Sequence, residues 1–232
     1  HCRPSVLALQ RTAGRGQSSS MAMPGVHRIL ICSVLAQVVS ISRAIGCPAY
    51  ADVANMSNDA VAHFDIAKFP GMWYEVYSHN LPGLTSGCHC TRYNVSIETN
   101  GWATDFACRK GGLPASVTAL HSDNTFASDP KYPGKLTEAW KLPVGHTPAT
   151  AYWVLDVGVD ASGAYEQSLV YSCTSELVAK QERIYLFSRS PTLAKDDVEE
   201  WMSYLKGKGV DTSDVRLVPQ DAGCWDVLDF VV

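Results

Sequence analysis

The chain has 232 residues, 19 Lys and Arg against 23 Asp and Glu, a formal net charge of -4 and eight cysteines. Such a length holds one domain or at most two. The basic residues are scattered rather than clustered, which excludes an electrostatic footprint for nucleic acid.

Residues 1–20 are rich in Arg, Ser and Gly and start with His, so they read as a leader or a translated upstream extension without stable structure. Residues 21–46 have the anatomy of a signal peptide. His27 and Arg28 close a basic region, ILICSVLAQVVSI is the apolar centre, and SRA or AIG supplies small residues for a cut near Ile45 or Cys47. The apolar run is too short for a spanning helix, so no stable membrane span is expected. What remains, 47–232, reads as one secreted, extracellular domain.

Six cysteines fall in that domain: Cys47, Cys88, Cys90, Cys108, Cys173 and Cys224. An even set in a chain addressed to an oxidising compartment points to three disulfides, whose connectivity cannot be read from the count. Cys88-His89-Cys90 has no second close pair of ligands after it, so no metal is assigned. The other histidines lie near strand ends or loops, and no cofactor is assigned to them.

From Gly71 to Arg189, runs of period-2 character recur about every ten residues, the pattern of an all-β sandwich or barrel. The expected strands are 72–79, 90–98, 102–109, 115–121, 134–141, 150–157, 166–173 and 183–189. Eight strands are enough to close a small barrel that holds side chains or one small ligand. The stretch from Glu98 to Gly101, ETNG, is a hairpin turn between strands two and three, and places Cys90 opposite or nearly opposite Cys108. Asn94 opens the sequon Asn94-Val95-Ser96 and shares parity with Cys88 and Cys90, so Asn94 is expected to face outward and carry a glycan, with Tyr93, Val95 and Ile97 inward. A second sequon starts at Asn55.

After Arg189 the period changes. SPTLAKDDVEEWMSYLKGKG (190–209) carries Ser190 or Thr192 as a cap, acids early, lysines late and an apolar stripe of Val198, Trp201 and Leu205, as one amphipathic helix packed outside the sheet requires. The tail with Cys224 has no core of its own and gains most from a covalent tie.

With these elements in place, FDIAKFPGMWYEV (64–76) and RIYLFSRSPTL (183–193) resemble the first and third motifs of the lipocalin family. Asp65, Gly71, Trp73 and Tyr74 match the first, and Arg189 matches the arginine of the third. The resemblance implies an eight-stranded antiparallel up-and-down barrel with one C-terminal helix outside, and Arg189 stacked on Trp73 at its floor. CPAY, AYWVLD, LVYSCT and LFSRSPTL further resemble the apolipoprotein D-like secreted lipocalins over nearly all of 47–224. Carrying over that pattern pairs Cys47 with Cys173 and Cys88 with Cys224, leaving Cys90 with Cys108. The middle motif departs from the family at Leu155-Asp156-Val157, and the segment after it looks long.

The resemblance implies carriage of a small hydrophobic ligand, a lipid, sterol, retinoid or pigment. Parity and resemblance place Tyr93, Val95, Trp140, Tyr152, Tyr185 and Phe187 inward, with Glu75 as a polar contact. No HExxH, GxSxG or phosphate-cradling glycine loop occurs, so no catalytic residue is assigned. A lipocalin-type enzyme would draw on Glu75, Asp105 and Asp156. A protein partner at the loop from Leu81 to Gly87, a homo-oligomer, and acylation of Cys47 as in bacterial lipoproteins stay open as alternatives.

Overall fold

The computed structural model describes residues 46–79, 86–111, 116–126, 129–175, 180–221, 223 and 224, and not the side chains of residues 116 and 117. The leader at 1–20, the signal peptide up to residue 45 and residues 81–85 of the expected partner loop lie outside the described residues. The alternating runs form ten strands: β1 (Gly71–His79), β2 (Cys88–Glu98), β3 (Gly101–Lys110), β4 (Ser116–Phe126), β5 (Lys135–Leu142), β6 (Gly145–His146), β7 (Thr150–Val159), β8 (Tyr165–Ser175), β9 (Lys180–Ser188) and β10 (Val215–Leu217). Eight of them pair antiparallel in the order β1-β2-β3-β4-β5-β7-β8-β9, and β9 returns to β1 to close a barrel. Closure removes the free edges that an open sheet would expose. The two short strands are additions, β6 to β5 and β10 to β1.

One end of the barrel is plugged by aromatic side chains. A 3-10 turn, Ile66–Lys68, capped by Asp65 through the Ala67 amide, delivers Phe69 and Trp73 into that end. Phe69 stacks on Trp73 at 4.8 Å and on Trp102 at 4.6 Å, and the Trp73 indole N–H donates to the Phe69 carbonyl. Arg189 lies across the outside of this plug, its guanidinium 3.7 Å from the Trp73 ring. It donates to the carbonyls of Lys68, Phe69, Pro70, Met72 and Tyr165. Gly71 beneath it has φ +103°, and a Cβ there would stand 3.3 Å from Arg189 Nη1. The positive φ favours glycine, and a side chain there would also crowd the guanidinium.

The far end is locked by the C-terminal tail, and here the cysteine pairing differs from expectation. The structure joins Cys47 to Cys173, Cys88 to Cys108, and Cys90 to Cys224. The hairpin arithmetic placed Cys108 correctly: the register runs from Glu98↔Gly101 to Arg92↔Ala107, slips, and resumes at His89↔Arg109, so Cys108 faces Cys90 and Thr91 together. That two-against-one arrangement is a β-bulge. Cys90 sits in it at φ +54°, and its backbone N–H turns to the Pro219 carbonyl instead of to β3. The side chain follows the backbone towards the tail, and Cys88 becomes the partner of Cys108. The bulge also breaks the parity expected from Cys90 to Asn94, since Cys90 is buried while Asn94 is half-exposed. The tail fills the gap between β1 and β2: Val218 N–H donates to Val76, and the Gln220 amide donates to the Glu75 and Thr91 carbonyls.

Further departures follow from local chemistry. Ile97 is half exposed, because β2 runs past the aromatic plug before it turns. β4 continues five residues beyond the expected end at His121, because Ser122 and Asn124 find polar partners inside the barrel. The long segment after β7 is a tight turn, in which the Asp160 carboxylate accepts from the Ser162 and Ala164 amides. The helix is Lys195–Gly207, one turn later than a Ser190 or Thr192 cap requires, and no side chain caps it. Val198, Trp201 and Leu205 are its buried residues, and Tyr204 donates to the Val53 carbonyl of a short N-terminal helix, Tyr50–Val53.

Truncating Trp73 to Ala leaves the plug open and is expected to lower stability by about 3–5 kcal/mol. Urea denaturation checks this, and a loss under about 1 kcal/mol would contradict the placement of Trp73 as the floor.

Candidate functional site

Above the floor the inward faces of the strands form an aromatic ring. Tyr93 on β2 meets Phe106 edge-on at 5.1 Å and Phe187 on β9 at 4.9 Å. Tyr185 stacks on Phe187, Trp140 meets Phe106 at 5.8 Å, and Tyr152 meets Trp102 at 5.7 Å. Val95 is buried lower, between Gly71 of β1 and Thr104 of β3. The structure thus brings Glu75, Tyr93, Trp140, Tyr152, Tyr185 and Phe187 into one lumen.

Two carboxyl groups lie inside that ring. Glu75 is held by the Tyr93 hydroxyl, which donates to its Oε2 at 2.7 Å. Glu138, on β5 between Leu136 and Trp140, accepts from Ser122 Oγ at 3.0 Å. Asn124 donates to Thr104 Oγ1 and Ser122 Oγ, so a polar row crosses from β3 through β4 to β5. Burial raises the pKa of Glu75, with hydrogen bonds from Ser78 and Tyr93 working against it. Burial pushes Glu138 up to about 7, against hydrogen bonds from Ser122, Trp140 and Asn124 and the nearby charge of Arg183. Burial first, then the charges on Glu75 and Glu138, raises Tyr93, Tyr152 and Tyr185, so all three remain phenols at neutral pH. The lumen therefore offers neutral phenols beside two carboxyls that burial pushes toward their protonated form.

Other carboxylates singled out by sequence lie elsewhere. Asp105 faces outward and accepts from His121, and Asp156 is held by Asn55 and Asn58 outside the barrel. The Asn55 amide nitrogen, the atom a glycan would occupy, donates to Asp156 Oδ2. Cys47 is in a disulfide and offers no thiol for acylation. Among the described residues no group of three His, Cys, Asp or Glu is placed to hold a metal ion. No described helix is long and apolar enough to cross a membrane.

Sequence reasoning missed Glu138, Ser122, Asn124 and Arg183. The signal for Glu138 was present, since it shares parity with Trp140. For Ser122 and Asn124 there was none, because small polar residues in a run read as a turn.

No family model matches the chain. Among curated proteins it is similar to apolipoprotein D of Bos taurus, 24% identical over 162 residues that cover 68% of this chain and 78% of that one. Apolipoprotein D of Cavia porcellus is 27% identical over 172 residues, covering 72% and 82%. Among solved structures, apocrustacyanin C2 matches with a TM-score of 0.54 at 17% identity, covering 73% of this chain and 89% of that one. Insecticyanin from the tobacco hornworm Manduca sexta matches with a TM-score of 0.56 at 20% identity, covering 71% and 85%. These likenesses establish the shared barrel.

The raised pKa of Glu138 has a stability consequence. In the unfolded chain the group titrates at its ordinary 4.5 and in the folded chain at about 7, so its contribution is fully present below 4.5 and is lost as pH rises through 7. Glu138→Gln is expected to gain on the wild type between those limits, ending more stable at pH 8 by on the order of 2–3 kcal/mol. Urea midpoints of both proteins at pH 4.5 and 8 check it, and a difference that does not change with pH would contradict the assignment.

Proposed function

We propose that the chain is a lipocalin and an extracellular carrier of one small hydrophobic molecule, a lipid, sterol, retinoid or pigment, held in the barrel lumen. The observation that carries the reading is the aromatic ring of Tyr93, Phe106, Trp140 and Phe187 above a floor sealed by Trp73 and Arg189. Such a concave, mostly aromatic interior binds by removing apolar surface from water, at about 25 cal/mol per Å2. Glu75 and the tyrosine hydroxyls give it a few fixed polar contacts, as orientation of a ligand requires.

Three bridges among Cys47, Cys173, Cys88, Cys108, Cys90 and Cys224 support life in an oxidising compartment and leave none of these thiols free as a nucleophile. Asn94, on the outer parity of β2, is the sequon we assign to a glycan, whereas Asn55 is engaged by Asp156. Of the carboxylates an enzyme reading would need, only Glu75 lies in the lumen.

Native mass spectrometry and an absorbance spectrum of protein purified from its source without denaturant test the proposal. An apolar adduct near one per chain is expected, displaced by added ligand with a change in tryptophan fluorescence, because Trp140 lines the lumen. Empty, colourless protein whose fluorescence is unmoved by retinoid, sterol and fatty-acid titrations would overturn carriage.

A further inference from the structure

We infer that the lumen selects an apolar molecule with a neutral polar end, a hydroxyl or a carbonyl, and turns away a carboxylate, with Ser122, Glu138, Tyr152 and Tyr185 reading that end. The inference rests on the carrier reading and narrows it to a chemical class.

Hydrogen-bonding capacity inside the barrel is distributed unevenly. Tyr93 spends its hydroxyl on Glu75, and Ser122 spends its own on Glu138. The hydroxyls of Tyr152 and Tyr185 have no hydrogen-bond partner among the described residues. Deeper in, Trp102 and Asn124 are direct cross-strand partners, 1% and 2% exposed. Trp102 Nε1 lacks an acceptor and Asn124 Oδ1 lacks a donor. Unmet buried groups of this kind are destabilising unless something fills them.

Charge points the same way. The lumen already holds two carboxyls, Glu75 and Glu138, and the charge acting on Glu138 and Tyr185 from the inner face of β9 is that of one cation, Arg183. A ligand carboxylate would be a third acid against one base, stripped of water among aromatic rings with its desolvation unmatched. A neutral oxygen instead accepts from the two phenols and from Glu138 while that group keeps its proton. Glu138 faces Tyr152, Tyr185, Arg183 and Glu75, and its ionisation removes a donor and adds a charge. Affinity for a neutral end therefore falls as pH rises through about 7.

Matched pairs that share one apolar body test this: retinol with retinoic acid, and hexadecanol with hexadecanoic acid, titrated calorimetrically into the disulfide-bonded chain at pH 6 and 8. The alcohol of a pair is expected to bind roughly tenfold or more tighter than its acid at pH 8, with a several-fold gain at pH 6. Glu138→Gln is expected to lose the pH dependence of alcohol binding and narrow the gap to the acid several-fold. An acid that binds as tightly as its alcohol overturns the selectivity and leaves carriage standing. If neither pair binds, the molecule co-purified with the native chain decides: an alcohol or ketone supports the inference, a carboxylic acid overturns it, and an empty lumen overturns carriage with it. The wild-type comparison stands even if the Gln variant fails to fold.

Discussion

Every level of the barrel is set from where β1 begins, and that point is held by one guanidinium. Arg189 covers the Trp73 ring and gathers five backbone carbonyls, three of them from the turn that leads into β1 and one from β1 itself. The ring contact is worth roughly 0.5–2 kcal/mol, and hydrogen bonds from a charged donor about 1.5–3 kcal/mol each before non-additivity. Their larger effect is geometric. β1 pairs with both β2 and β9, so it is the strand on which the sheet closes. A shift of β1 by one residue would turn Trp73 and Glu75 to the outside and bring apolar Tyr74 and Val76 positions out of register with both neighbours. The floor and the lumen above it therefore share one origin.

The upper half of the same strand is governed by interruption. β1 bulges between Glu75 and Tyr77, and β2 bulges between His89 and Arg92, so the two strands part above Tyr74↔Arg92. Parting exposes backbone groups that need partners. The tail supplies them through Val218, Pro219 and Gln220, and β10 extends β1 beyond the gap. Cys90–Cys224 fastens the insert where it crosses β2. The tail is thus part of the barrel wall, and closure at this end is built from two bulges, a third segment and a covalent tie.

This division explains what was legible beforehand. All eight barrel strands could be placed because alternation and turn residues are local properties, and the FPGMWYEV and FSRSPTL stretches mark the floor through residue types that few other environments demand. The pairing of Cys88, Cys90, Cys108 and Cys224 was not legible, because it turns on a one-residue bulge whose cause is a tail some 130 residues away in sequence. The aromatic half of the site could be read by parity from Tyr93, Trp140, Tyr152 and Phe187. Its polar half could not. Ser122 and Asn124 carry the composition of a turn, and only their partners across the strands, Glu138 and Thr104, keep them in β4.

That failure has a physical meaning. A barrel needing only to close would place aliphatic side chains where β4 and β5 carry Ser122, Asn124 and Glu138, since apolar packing gains stability at those positions without desolvating a carboxyl. Instead the chain accepts a carboxyl whose pKa is driven to about 7, and an indole N–H and an amide oxygen that are buried without partners among the described residues. Apart from the Trp102 ring, which packs on Phe69 in the floor, none of these serves the floor, the bulges or the tail. Positions that break local rules with no structural return concentrate at functional sites. The polar row is costly to the empty protein and complementary to something with one oxygen and a large apolar body. On the proposed carrier reading, the end of β4 beyond residue 121 is thereby the part of the wall on which the choice of ligand would rest.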